Sequence, residues 1–183
     1  MYNIGVVKRS LEARVARLLA RFPCLLLFGA RQVGKSTLVS KTGLAQGRTY
    51  VTFDDPEVIA AARTDADTFI NQAEKLTVDE VQRYPDLFLR IKRAVDRERT
   101  PSRLLLTGSS AAELVAAGKT SALAGRSAIL ELGPLTLAEV EGRDPIGWAQ
   151  LLRAPDASAA LRRLPKPKTD RAQLKRRIKR GGL

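Results

Sequence analysis

Residues 29–36 fit the pattern G-x-x-x-x-G-K-[ST], because they are Gly29-Ala30-Arg31-Gln32-Val33-Gly34-Lys35-Ser36. In this pattern, backbone N–H groups of a glycine-rich turn surround phosphate oxygens. The apolar run 24–28 before it predicts a buried parallel strand, and residues 37–41 after it can continue as a helix. Strand, turn and helix are the context that the motif requires, so the sequence predicts a nucleotide site here.

The residue types of this loop match the chemistry of a triphosphate. Glycines at its two ends let the backbone turn tightly and approach the phosphates. Lys35 is expected to reach the β- and γ-phosphates, and the Ser36 hydroxyl is expected to ligate Mg²⁺. The predicted nucleotide-binding residues are Gly29, Ala30, Arg31, Gln32, Val33, Gly34, Lys35, Ser36 and Thr37.

The third predicted strand, residues 75–80, is short and ends in the adjacent carboxylates of Asp79 and Glu80. Two acids after a short strand, downstream of a phosphate loop, are typical of the Walker B motif. Asp79 is expected to hold Mg²⁺, mostly through water, opposite Ser36. Glu80 is expected to orient or deprotonate the water that attacks the γ-phosphate. A helix cap or a turn is the alternative explanation of the two acids.

The second predicted strand, residues 48–55, also ends in two carboxylates, Asp54 and Asp55. Either acid could contact the metal shell or position water, because this strand end should lie on the nucleotide side. The alternative is a helix cap before Pro56, which suits the first position of a helix.

The strand predicted over residues 103–109 has a polar end that carries Thr107 and Ser109. A hydroxyl at this position could contact the γ-phosphate or the attacking water, the role called sensor 1 in AAA-type ATPases. The competing interpretation is helix capping, since Ser110 and Glu113 form the capping-box pattern S-x-x-E. The two interpretations are compatible, because they use different residues.

Arg126 immediately precedes the fifth predicted strand, residues 127–132. An arginine at this position supports the hypothesis of an arginine finger, presented to the γ-phosphate of a neighbouring subunit in a homo-oligomer. The alternative is a surface arginine or a cation at a helix C-terminus.

Composition excludes several classes of protein. The 183 residues are 44% apolar, enough for one domain with a sizeable core. The single cysteine, Cys24, allows no disulfide within the chain, which predicts a reducing, cytoplasmic location. The absence of histidine excludes a histidine metal site and a Ser-His-Asp triad. No apolar run approaches the roughly 20 residues that span a membrane, so no membrane association is expected.

The net charge of +13 is concentrated near the C-terminus. Residues 151–183 hold 11 of the 32 Lys and Arg residues but only 2 of the 19 Asp and Glu residues. The pattern of strands and helices also deteriorates past Gly142. We therefore expect the predicted ATPase domain over residues 1–142 and a basic, weakly ordered tail or marginal helix over residues 143–183. Such a tail can bind nucleic-acid phosphates without sequence preference, but a solvated tail or the remnant of a shortened chain is the favoured interpretation.

Five predicted strands alternate with helices, beginning with an amphipathic helix over residues 8–22. This alternation predicts a three-layer α/β fold with a mainly parallel five-stranded sheet. Ligands of such sheets bind at the carboxyl ends of the strands, where the polar residues described above gather.

In their order along the chain, these motifs make the sequence resemble the prokaryotic AAA-type P-loop ATPases whose AAA domain precedes a C-terminal domain of unknown function. The matching segments are residues 29–36, 51–56, 76–83, 104–109, 123–126 and 132–136. The resemblance covers about residues 4–142 and implies a sheet order of 5-1-4-3-2. It also implies ATP and Mg²⁺ as ligands, with the roles given above to Lys35, Ser36, Asp79, Glu80 and Arg126.

The family continues into a large second domain, whereas this chain runs into about 40 basic, poorly patterned residues. The resemblance therefore predicts a truncated member in which a lid and its second sensor arginine are not identifiable. Without a lid, loose ATP binding and slow hydrolysis are expected.

The function predicted from the sequence is ATP binding with Mg-dependent ATP hydrolysis. The first alternative is a nucleotide-dependent binding module with little hydrolysis, whose basic tail contacts nucleic acid or a protein partner. The second is a small-molecule kinase, which shares the phosphate loop. Adjacent Asp79 and Glu80 favour water as the phosphoryl acceptor over a second substrate.

Overall fold

The computed structural model of the chain describes residues 6–109, 120–143, 155–162 and 169–179. The chain divides into two compact units, Leu11–Gly133 and a second unit that joins Met1–Ser10 to Pro134–Leu183. The phosphate loop and both predicted acids of the Walker B motif belong to the unit Leu11–Gly133. The domain boundary predicted between residues 142 and 143 stays a prediction.

One sheet forms the centre of the unit Leu11–Gly133. Its strands are β1 (Cys24–Phe28), β2 (Thr49–Thr52), β3 (Leu76–Asp79), β4 (Leu104–Gly108) and β5 (Ser127–Glu131). They lie in the order β2-β3-β4-β1-β5, and every neighbouring pair is parallel. This arrangement confirms the predicted AAA-like order. It also brings the segments that follow β1, β3 and β4 to the same edge of the sheet.

Among the residues that the structure describes, five helices pack on this sheet: α1 (Glu12–Leu19), α2 (Lys35–Lys41), α3 (Pro56–Thr64), α4 (Ala66–Asn71) and α5 (Leu87–Arg97). Single 3₁₀ turns cover Gly43–Ala45, Val81–Arg83 and Thr120–Leu123. Helix α4 was not predicted from the sequence, and it begins where Asp65 accepts a hydrogen bond from the Thr68 backbone N–H at 3.0 Å. The capping box predicted at residues 110–113 lies outside the described residues.

The buried side chains form two layers, one on each face of the sheet. Leu25 and Leu27 of β1 face α1 and α2, whereas Leu26 and Phe28 face α3, α4 and α5. Side chains alternate along a strand, so a strand that is apolar throughout contributes to both layers. Cys24 is a core residue of the layer that faces α3, α4 and α5, and burial raises the pKa of its thiol. The three-layer α/β fold is confirmed.

The second unit contains α6 (Leu137–Val140), α7 (Ala157–Arg162) and α8 (Arg171–Lys179) among its described residues. Thr136 and Glu139 form a capping box at the start of α6. The buried Glu139 carboxylate also pairs with Arg9, whose Nε lies 3.3 Å from its Oε1. In the described part of the chain, no helix has the length and apolar character needed to cross a bilayer.

Arg48 connects three segments at the amino-terminal edge of the sheet. Its guanidinium donates to the Thr77 hydroxyl at 3.0 Å, the Leu76 carbonyl at 2.7 Å and the Ser102 carbonyl at 2.5 Å. Burial lowers the pKa of Arg48 to about 10, so the group is still charged at neutral pH. A charged donor shared among carbonyls ties β2, β3 and the turn before β4 together.

Arg48→Leu is therefore expected to lower the free energy of unfolding by about 2–3 kcal/mol, because several buried acceptors lose a charged donor. Urea denaturation measures the loss. Arg90→Leu on the exposed face of α5 is the matched control and should change stability by no more than about 0.5 kcal/mol. Equal effects of the two substitutions would contradict a structural role for Arg48.

Candidate functional site

The loop between β1 and α2 has the backbone geometry that its glycines permit. A Cβ at Gly29 would lie 2.3 Å from the Leu132 carbonyl oxygen, so only glycine fits beside β5. Gly34 precedes α2 in the left-handed region, with φ 93° and ψ 26°, which glycine adopts without strain. The turn therefore directs the chain from the sheet edge into the start of α2.

Lys35 extends back across this turn. Its ammonium donates to the Gly29 carbonyl at 2.9 Å and to the Ala30 carbonyl at 3.0 Å, and the residue is only 5% exposed. The ammonium therefore places one positive charge against the backbone of the loop, as a site for an anion requires.

Asp79 ends β3 with both carboxylate oxygens hydrogen-bonded. Thr107 at the end of β4 donates its hydroxyl to Oδ1, and the Tyr50 hydroxyl donates to Oδ2 at 2.7 Å. Asp79 and Thr107 are 3% and 0% exposed. Thr107 therefore orients Asp79 from within the core, and a direct phosphate contact by Thr107 or Ser109 stays a prediction.

The Tyr50 hydroxyl interacts with both predicted metal ligands, Asp79 and Ser36. Partial burial and the hydrogen bond to Asp79 raise the pKa of Tyr50, whereas its contact with the Ser36 hydroxyl acts in the opposite direction. Ser36 and Asp79 thus both act on the same hydroxyl. A serine hydroxyl and a carboxylate on one side of the loop are ligand types that suit an octahedral Mg²⁺ that keeps several waters.

Glu80 has an unusual backbone and a fixed side chain. Its φ of 57° and ψ of 41° are left-handed, a conformation that is uncommon for non-glycine residues and is enriched at functional sites. Its carboxylate accepts a hydrogen bond from the Gln82 amide. Gln82 also donates to the Ser109 hydroxyl at 3.0 Å, so one side chain bridges the segments that follow β3 and β4.

A cavity of about 500 Å³ lies at the carboxyl edge of the sheet, within the size range of small-molecule sites. Six of its lining residues belong to the loop and the start of α2, and three come from segments after β2 and β3. They are Arg31, Gln32, Gly34, Lys35, Ser36, Thr37, Asp54, Glu80 and Arg83. The cavity thus gathers three cationic and two acidic side chains.

The two acids after β2 have different environments. Asp55 caps α3 by accepting a hydrogen bond from the Glu57 N–H at 2.9 Å, with Pro56 at the first helical position, which confirms the capping interpretation for this residue. Asp54 lines the cavity and pairs with Arg83, at 2.6 Å between Oδ1 and a guanidinium nitrogen.

Arg126 lies away from the other predicted site residues. It precedes β5, whose last residue, Glu131, pairs with Phe28, the last residue of β1 before the phosphate loop. Five residue steps of about 3.3 Å put Arg126 roughly 16 Å from that edge along the strand. Its guanidinium donates two hydrogen bonds to the Asp96 carboxylate, and the Nη2–Oδ2 distance of one of them is 3.2 Å. The hydrogen bonds from Arg126 and Lys92 lower the pKa of Asp96. An arginine finger here needs a second copy and stays a prediction.

Three residues that contact the predicted site were not predicted from the sequence: Tyr50, Gln82 and Arg83. Nothing in the sequence marks Tyr50, because its partner Asp79 is 29 residues away. Gln82 and Arg83 had a weak signal, since both are polar and lie within three residues of Glu80.

Comparison with known proteins gives a match to the model of the AAA_14 family, described as an AAA domain, over residues 21–141. Two relatives are uncharacterized proteins of Mycobacterium bovis and Mycobacterium tuberculosis, Mb2031c and Rv2008c. Each is 38% identical over 138 residues, which are 74% of this chain and 30% of the relative. The chain thus matches less than a third of the length of these relatives.

Two solved structures are similar to the chain. The P-loop NTPase domain of the sigma-54 transport activator from E. coli has a TM-score of 0.44 at 21% identity, covering 71% of this chain and 100% of that domain. The Walker-type ATPase paby2304 of Pyrococcus abyssi has a TM-score of 0.47 at 14% identity, covering 88% of this chain and 64% of that structure.

Proposed function

Because the chain belongs to the AAA_14 family of AAA domains, we propose that it binds ATP with Mg²⁺ and hydrolyses it to ADP and phosphate. One observation carries this proposal: Lys35, Ser36 and Glu80 line the same cavity at the carboxyl edge of a parallel sheet. A phosphate-binding ammonium, a hydroxyl ligand and a carboxylate base in one cavity are the groups that ATP hydrolysis requires.

The loop holds the phosphates in this proposal. Backbone N–H groups between Gly29 and Lys35 donate to phosphate oxygens, and the Lys35 ammonium exchanges its carbonyl partners for the β- and γ-phosphates. Ser36 and Asp79 would hold Mg²⁺, which when bound neutralises charge on the β- and γ-oxygens. Thr107 and Tyr50 support that role because each donates a hydrogen bond to Asp79.

Glu80 accepts the proton of the attacking water. As the water oxygen bonds to the γ-phosphorus, the bond from that phosphorus to the bridging oxygen breaks, and ADP leaves with the electron pair. Gln82 and Ser109 fix the direction of the Glu80 carboxylate through the hydrogen bonds that connect the ends of β3 and β4.

Release of free phosphate from ATP tests the proposal. The protein should produce ADP and phosphate in equal amounts with Mg²⁺ present and neither product with excess EDTA. Tight nucleotide binding without phosphate release would instead favour the binding module. Transfer of the phosphoryl group to a small molecule in place of water would favour the kinase.

A second candidate function, nucleic-acid binding, is supported by α8. The helix Arg171–Lys179 contains five basic residues and no acidic one, and Arg171, Lys175 and Arg176 are exposed. Asp170 caps it by accepting a hydrogen bond from the Gln173 N–H at 2.7 Å. A short helix with several exposed cations can contact phosphates of either strand without reading the bases.

Replacing Arg171, Lys175 and Arg176 with Gln should weaken binding to duplex DNA. It should also reduce the slope of log affinity against log salt by about three, because each lost phosphate contact contributes about 0.9. Fluorescence anisotropy at several salt concentrations measures both quantities. The matched control replaces Arg90, Arg93 and Arg97 of α5 with Gln. Equal losses in both triple variants would show a general charge effect and contradict a binding role for α8.

A further inference from the structure

We infer that Arg83 contacts the γ-phosphate from within the same chain and thereby distinguishes ATP from ADP; this inference rests on the proposed function. The cavity contains the cations Arg31, Lys35 and Arg83. Lys35 already has a role in the loop. The other two cations, Arg31 and Arg83, differ in which phosphates their backbone positions allow them to reach.

Arg83 is held beside Glu80 by the backbone. Its N–H donates to the Glu80 carbonyl at 3.0 Å and closes the 3₁₀ turn after β3. Val81, which is fully buried, fixes this turn to the core. Because Glu80 must lie next to the γ-phosphate to activate water, a side chain that starts on the same turn and lines the same cavity is at the γ-phosphate end.

Arg31 has a different position, since it lies within the loop between Gly29 and Gly34. The backbone of such a loop surrounds the α- and β-phosphates, which ATP and ADP share. Arg126 is about 16 Å from this edge along the sheet and pairs with Asp96. Of these three arginines, only Arg83 is placed to sense the one phosphate that ADP lacks.

The guanidinium of Arg83 has donors left for that phosphate. In the described part of the chain its ion pair is with Asp54, at 2.6 Å through one terminal nitrogen, and the two side chains are 53% and 58% exposed. Arginine carries five N–H donors in a rigid fork that suits phosphate oxygens. Water screens so exposed a pair, so Asp54 steers the guanidinium toward the cavity without holding it tightly.

Calorimetric titration with AMP-PNP, a non-hydrolysable ATP analogue, and with ADP tests the inference in the presence of Mg²⁺. Arg83→Ala should weaken AMP-PNP binding about tenfold or more, the loss of a hydrogen bond to a charged group, and change ADP binding less than about twofold. The AMP-PNP affinity of Arg83→Lys should lie between those of the wild type and Arg83→Ala, because lysine keeps the charge but lacks the forked donors of the guanidinium. Arg93→Ala, which removes an exposed arginine from α5, should change neither affinity.

Thermal unfolding of each variant confirms that it is folded before binding is compared. Equal losses for AMP-PNP and ADP in Arg83→Ala, or unchanged AMP-PNP affinity, would overturn the inference while leaving the proposed function intact. A wild-type protein that binds neither nucleotide would overturn the proposed function, and the inference would fall with it.

Discussion

Glu80→Gln should lower the single-turnover rate of ATP hydrolysis by about two orders of magnitude or more, the usual contribution of a general base. The amide cannot accept a proton at neutral pH, whereas its carbonyl can still accept the hydrogen bond that Gln82 donates to Glu80. The substitution keeps the size of the side chain, so the left-handed backbone at this position and the packing of the turn should persist. Mg-ATP affinity is expected to stay within about threefold, since a base contributes mainly in the transition state.

Rapid chemical quench measures the rate, and calorimetry measures the affinity. The matched control is Glu74→Gln, which changes an exposed carboxylate before β3 in the same way and should leave both quantities unaltered. Hydrolysis by Glu80→Gln at the wild-type rate would reject Glu80 as the residue that activates water. A parallel loss of ATP affinity would instead indicate that the carboxylate acts in binding.

Lys35→Ala should weaken Mg-ATP binding by about 30-fold or more, because a charge-assisted hydrogen bond in a partly closed site contributes about 2–3 kcal/mol. The substitution removes the positive charge inside the loop and the donor shared by the Gly29 and Ala30 carbonyls. ADP affinity should fall too, since the β-phosphate is common to both nucleotides. This response differs from that of Arg83→Ala, in which only the triphosphate is affected.

Lys41→Ala is the control for Lys35→Ala, because Lys41 is an exposed lysine at the other end of the same helix. It should bind nucleotide like the wild type. A modest loss of stability is expected for Lys35→Ala itself, so thermal unfolding must show a folded variant. Retained nucleotide affinity in folded Lys35→Ala would argue against the loop as the phosphate site.

Much of the fold could be predicted from short segments. The bounds of β1 follow from the apolar run before Gly29, and Pro56 and Asp55 fix the start of α3. The sheet order came from a resemblance carried by the order of the motifs, and the structure confirms it. The prediction failed for α4, because Asp65 starts a second helix one residue after α3 ends and no break in the apolar pattern marks it.

For the candidate site, the sequence predicted residues whose proposed roles depend on local spacing. Gly29, Gly34, Lys35 and Ser36 lie within eight positions, and Asp79 and Glu80 are adjacent. Their chemistry follows from a turn or a strand end that the neighbouring residues build by themselves. Sequence could not show that the Thr107 hydroxyl is buried against Asp79, because that contact joins the ends of two strands far apart in the chain.

The sequence by itself determined a phosphate loop, a pair of acids after an apolar strand and an α/β fold, since each depends on residues close together in the chain. Tertiary structure alone decided that Tyr50 contacts Asp79, that Gln82 connects Glu80 to Ser109, and that Arg83 pairs with Asp54. Tyr50 and Asp79 are on neighbouring parallel strands, which a connection through helices must separate along the sequence. Only the register of the finished sheet brings such partners within hydrogen-bonding distance.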